Sequence, residues 1–111
     1  MDPILNLLSD FCITGRYRGY RRLYCVLTLA LENEDRLESI VKELYIPAAQ
    51  MTNCSRYAVE HSIRTVIEVA FKRNPQLMDR VMGYQLTESP CASDFIAAAV
   101  AHLQRHASAT V

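Results

Sequence analysis

The segment from Leu44 to Arg73, LYIPAAQMTNCSRYAVEHSIRTVIEVAFKR, restricts the fold more than any other part of the chain. It predicts a short helix, a tight turn and a long amphipathic helix, the arrangement of a helix-turn-helix. Pro47 suits the first turn of the short helix, where its missing N–H is no loss. Thr52-Asn53-Cys54 then interrupts the pattern, and Asn is one of the few residues besides Gly that tolerate positive φ. From Ser55 onward Val59, Ile63, Val66, Ile67 and Ala70 fall on one helical face. The opposite face carries Arg56, Tyr57, Glu60, His61, Arg64, Thr65, Glu68 and Lys72, groups able to reach base edges and phosphates. A helix with this division can read a major groove. The same division is also found on solvated helices that bind no DNA.

The remaining chain predicts helices on both sides of this motif. Asp2-Pro3 starts a first helix whose apolar side is Ile4, Leu5, Leu7, Leu8 and Phe11, with Gly15 as its expected end. A second helix is expected from about Tyr20 to Glu32, with Leu23, Val26, Leu27 and Ala30 inward, and a third from about Asp35 to Tyr45. After the motif, Asn74 and Pro75 begin a short helix that Gly83 closes. A last helix, capped by Ser93, is expected from Asp94 to about Arg105 with Phe95, Ile96, Ala99, Val100 and Leu103 on the core side. Nothing alternates with period two for long, so no strand is expected.

A chain of 111 residues, 50% hydrophobic, has enough apolar surface for one core and is read as a single domain spanning 1–111. No apolar run approaches the ~20 residues of a membrane span, and the acidic start MDPILNLLSDF does not suit a signal peptide, so a cytoplasmic protein is expected. Cys12, Cys25, Cys54 and Cys91 lack CxxC spacing and are read as small buried hydrophobes in a reducing compartment. Net charge is zero, but its distribution is uneven. Arg16, Arg18, Arg21 and Arg22 lie in a stretch without acids, whereas Glu32, Glu34, Asp35, Glu38 and Glu43 crowd the next one. Two oppositely charged faces follow, with a weak overall field.

A resemblance adds to this reading. RGYRRLYCVLTLALENEDRLESIVKELY followed by IPAAQMTNCSRYAVEHSIRTVIEVAFKR, then MDRVMGYQL and SDFIAAAVAHL, resembles the C-terminal effector domain of the stage 0 sporulation protein A family of response regulators. The similarity runs from about Ile4 to His106. Its most specific pieces are Gly19-Tyr20, Leu44-Tyr45, Val59-Glu60, Ile63-Arg64, Ile67-Glu68-Val69-Ala70, Gly83-Tyr84 and Phe95-Ile96-Ala97. The resemblance implies an all-α fold, a compact bundle of about six helices containing a helix-turn-helix, that binds duplex DNA as tandem or paired copies in transcription control of sporulation. Receiver domains precede such effectors in the family; this chain has no space for one and is expected to be either a fragment or a receiver-less relative.

The resemblance places Glu60 and Arg64 in the recognition helix, about 55–73. Arg64 can pair with guanine O6 and N7, and a glutamate can accept from cytosine N4. Their plainer role is an i,i+4 ion pair, and the two roles coexist in the free protein. Arg56 and Tyr57 are expected near the groove in the first turn, and His61 and Thr65 on the exposed side. His61, Thr65 and Ala58 depart from the family's usual residues, so its preferred base sequence does not carry over. Arg16, Arg18, Arg21 and Arg22 are expected to grip the phosphate backbone beside the recognition helix or to contact a second protomer, with phosphate contact the leading candidate. Tyr17, Tyr20 and Tyr24 interleave with them and are expected at the core edge. Self-association on tandem sites, and contact with RNA polymerase, are the further partners expected. No enzyme is expected: His102 and His106 offer two metal ligands without a third, and no phosphate loop or placed nucleophile is present. No cofactor is called for. The alternative is a stand-alone protein–protein interaction module derived from such a domain and regulating another transcription factor.

Overall fold

The computed structural model describes residues 2–109 and is all-α, with no strand among the described residues. Among the described residues there are six α-helices: α1 Pro3–Asp10, α2 Gly19–Glu32, α3 Ile46–Met51, α4 Arg56–Arg73, α5 Pro75–Met82 and α6 Ala92–Ala109. A 3₁₀ segment, Glu34–Ser39, and a π-helical segment, Ile40–Tyr45, lie between α2 and α3.

Local chemistry accounts for most boundaries. The Asp2 carboxylate accepts from the Ile4 N–H at 2.9 Å, and Pro3 follows it, as read. Asn74 caps α5 by accepting from the Leu77 N–H at 3.2 Å, and Gly83 ends it at φ +88°, where a Cβ would be strained. α1 ends at Asp10, before Gly15, because Cys12 takes φ +63° and turns the chain. Phe11 and Ile13 are both buried, and the exposed Cys12 turns between them. α6 begins at Ala92, with the Cys91 carbonyl accepting from the Phe95 N–H at 3.0 Å, so Ser93 lies inside the helix and is not its cap.

The expected third helix is instead a 3₁₀ turn followed by a wide one, with the break at Ser39 (φ −139°, ψ 69°). The Arg36 guanidinium caps the end of α2, donating to the Leu29 carbonyl at 2.6 Å and to Glu32 at 3.2 Å. The π turn runs directly into α3, the Ile46 N–H donating to the Val41 carbonyl. Pro47 explains the widening. It has no N–H to give the preceding turn, and its ring would crowd the Glu43 carbonyl of a regular α-helix.

The core collects Leu8 and Phe11 of α1, Leu23, Val26, Leu27 and Ala30 of α2, Leu44, Ala48, the inward side of α4, Met78, and Phe95, Ile96 and Ala99 of α6. Phe11 and Phe95 meet edge to face with centroids 6.1 Å apart. These contacts hold α4 between α2, α3 and α6 and leave its polar side outward.

Candidate nucleic-acid interface

The turn before α4 forms as its residues dictate. The Thr52 hydroxyl and N–H both donate to the Ala48 carbonyl, at 2.7 and 2.9 Å, and the Cys54 N–H reaches the Ala49 carbonyl at 2.9 Å. Asn53 occupies the left-handed region at φ +56°. Ser55 then caps α4 by accepting from the Ala58 N–H at 3.1 Å. A short helix, a left-handed turn and an eighteen-residue helix are thus in place as a helix-turn-helix.

Val59, Ile63, Val66, Ile67 and Ala70 are buried, which fixes the rotation of α4. Tyr57 is 66% exposed, His61, Arg64 and Thr65 are exposed, and Arg56 and Glu60 are half-buried. The Arg56 guanidinium lies 4.6 Å over the Tyr57 ring and donates to its hydroxyl at 2.8 Å. Arg64 donates to Glu60 at 3.2 Å, the i,i+4 pair expected of the free protein. An exposed pair of this kind contributes only about 0.3–0.5 kcal/mol, so either partner is free to exchange it for a base edge. The Thr65 hydroxyl donates back to the His61 carbonyl at 3.1 Å and keeps acceptor capacity.

α2 crosses α4 at its amino-terminal half, and one residue missed in the sequence organises the crossing. Ser62 is buried on the otherwise apolar side of α4. Its hydroxyl donates to the Ala58 carbonyl at 2.6 Å and accepts from Arg22 Nη1 at 2.9 Å, while the same Nη1 reaches the Ala58 carbonyl at 3.3 Å. Arg22 is therefore half-buried and engaged with protein, whereas Arg16, Arg18 and Arg21 are exposed. The crossing is tight because Gly19 is part of it. A Cβ there would stand 2.5 Å from the Ser62 carbonyl oxygen and 2.8 Å from Val66 Cγ1. Tyr17, Tyr20 and Tyr24 pack at the core edge, and Tyr24 donates to Asp2 at 2.5 Å, which raises the tyrosine's pKa and lowers the carboxyl's.

The two edges of α4 differ in charge. The Ala58–Ser62 edge adjoins the arginine-bearing start of α2. Glu60, Arg64 and Glu68 instead line a groove shared with Ile40, Val41, Tyr45, Glu88 and the segment Ser89–Ser93. Three carboxylates face one guanidinium there. Burial first, and Glu60 second, push the Tyr45 phenol up. The potential is thus positive along the α2 edge and negative along the groove.

The cysteines correct the sequence reading in part. All four are free thiols; Cys25 and Cys54 are half-buried, but Cys12 and Cys91 are exposed. Among the described residues no three His, Cys, Asp or Glu side chains gather as a metal-binding group. The rings of His102 and His106 lie tilted to one another with centroids 4.1 Å apart, beside a groove between α1, α5 and α6. No helix among the described residues is long and apolar enough to cross a membrane.

The chain matches the family model described as "Sporulation initiation factor Spo0A C terminal" over residues 4–103, which takes in every element from α1 through most of α6. No solved structure matches it. The protein belongs to the family of sporulation initiation factor Spo0A C-terminal domains, DNA-binding effectors of sporulation transcription control.

Proposed function

We propose that this domain binds duplex DNA sequence-specifically, with α4 in the major groove and the start of α2 on the flanking backbone. The single observation that carries the reading is the rotation of α4. Its five apolar anchors are buried, so Tyr57, His61, Arg64 and Thr65 stand outward together. Arg64 is the base reader, through guanine, and Glu60 accepts from cytosine once their mutual pair opens. Arg56 and Tyr57 meet the groove wall at the first turn. Arg16, Arg18 and Arg21 neutralise phosphates. One such helix reads only a few base pairs, and the net charge of zero adds little backbone attraction. Discrimination therefore requires two copies on adjacent boxes, with the Arg16–Arg22 and Glu32–Glu38 regions or the exposed Arg80 as meeting surfaces, and RNA polymerase as the target of the assembled pair. Reiterative selection from a random duplex pool, followed by anisotropy titration at about 50 mM salt, tests this. Enrichment of a two-box motif supports it, and absence of binding to any pool overturns it.

The acidic groove favours a second reading, a protein–protein interaction module. Glu60, Glu68 and Glu88 would then meet a basic partner, and the protein would regulate another transcription factor without touching DNA. Failure to bind any duplex is the outcome that selects this reading.

A further inference from the structure

We infer that Arg22 and Ser62 form a positioning latch that sets the angle of α4, and with it base discrimination, without contacting DNA. The inference rests on the reading of α4 as the recognition helix. Three observations converge on it. Ser62 is a buried hydroxyl on an apolar helix side, 6% exposed, and such a group persists only when its hydrogen bonds are made. Here they are made twice over, to its own helix and to the guanidinium of α2 at 2.9 Å. The same guanidinium nitrogen also reaches the Ala58 carbonyl at 3.3 Å, so a single charged group spans the first two turns of α4. Finally, Gly19 lets the two backbones approach until no Cβ fits between them. The contact is therefore both close and polar, which makes it directional, whereas the apolar contacts around it tolerate rotation.

The consequence is geometric. Ala58 and Ser62 flank His61, and Arg64 and Thr65 follow within one turn. Arg18 and Arg21 stand on the same end of α2 as the latch. A rigid crossing holds the residues that read and the residues that grip in one fixed relation. Releasing it removes no DNA-contacting side chain but lets α4 pivot, and pivoting lowers the premium on the right base more than it lowers backbone attraction.

This separates Arg22 from its neighbours by experiment. Arg22→Met keeps the aliphatic stem that packs at the crossing, and Ser62→Ala removes only the hydroxyl. Each is titrated against a selected duplex and against random duplex over a range of salt, with thermal unfolding as the check of folding. The ratio of the two affinities is expected to fall roughly five- to tenfold in each, the scale of one ordinary net hydrogen bond. The double variant is expected to be no worse than Arg22→Met, because both changes open the same contact. The log–log salt slope is expected to stay at the wild-type value, since no phosphate contact is lost. A slope reduced by about 0.9 with an unchanged ratio would make Arg22 a phosphate ligand and overturn the latch. So would an unchanged ratio in Ser62→Ala, which is the variant to use should Arg22→Met not fold. Wild-type protein without any preference would instead remove the recognition reading itself.

Discussion

Gly19 and Ser62 are in backbone contact: a methyl group on Gly19 would stand 2.5 Å from the Ser62 carbonyl oxygen. That oxygen belongs to α4 and cannot swing aside as a side chain does. Gly19→Ala is therefore expected to destabilise the domain by about 1–3 kcal/mol through overpacking, despite alanine's better helix propensity. Denaturant unfolding checks this. A variant as stable as the wild type would mean that α2 and α4 separate easily.

Arg64→Ala is expected to cost about 1–3 kcal/mol on a selected duplex and to relax choice at one base position. Loss of the pair with Glu60 contributes only tenths of that to folding. Selection repeated with the variant measures the effect. An unchanged consensus would remove Arg64 from the readers.

The exposed arginines behave differently. Arg18→Ala and Arg21→Ala are expected to weaken selected and random duplexes alike, each lowering the salt slope by about 0.9. Salt titrations of both variants distinguish this from a change in base preference.

The bundle was legible wherever a boundary is set by local chemistry. Asp2-Pro3, Asn74-Pro75 and Gly83 act through their own side chains or their lack of one, and each stands where it was read. So do the apolar anchors of α4, since helical spacing alone decides them. Tertiary choices were not legible. Cys12 turns the chain ahead of Gly15 because Phe11 and Ile13 are both buried, which no propensity of cysteine announces. The helix expected over 35–45 divides at Ser39 because Arg36 folds back on α2 and Pro47 widens the turn ahead of it. Ser62 and Arg22 are forty residues apart, so their bond, and the demotion of Arg22 from the freely exposed cluster, emerge only when α2 and α4 are packed together.

His102 provides a pH dependence. Burial first, and His106 second, hold its pKa below the ordinary 6.5. Between the two values the unfolded chain binds more protons than the folded one, so stability falls as pH is lowered from about 6.5 toward the folded value and levels off beneath it. His102 is partly exposed, and solvent screening keeps the decline shallow. Thermal unfolding between about pH 7.5 and 5, the range in which histidine titrates, is expected to show it in the wild type and not in His102→Gln. Equal slopes in both would place the titrating group elsewhere.

The claim that α4 enters DNA is tested most directly by an NMR titration of the protein with its selected duplex. Amide shifts are expected at Arg56–Thr65 and Arg16–Arg21, with Glu68, Glu88 and Ser89–Ser93 along the acidic groove left quiet. Shifts confined to Glu68, Glu88 and Ser89–Ser93 or to α5 and α6, with Arg56–Thr65 unmoved, would contradict the account.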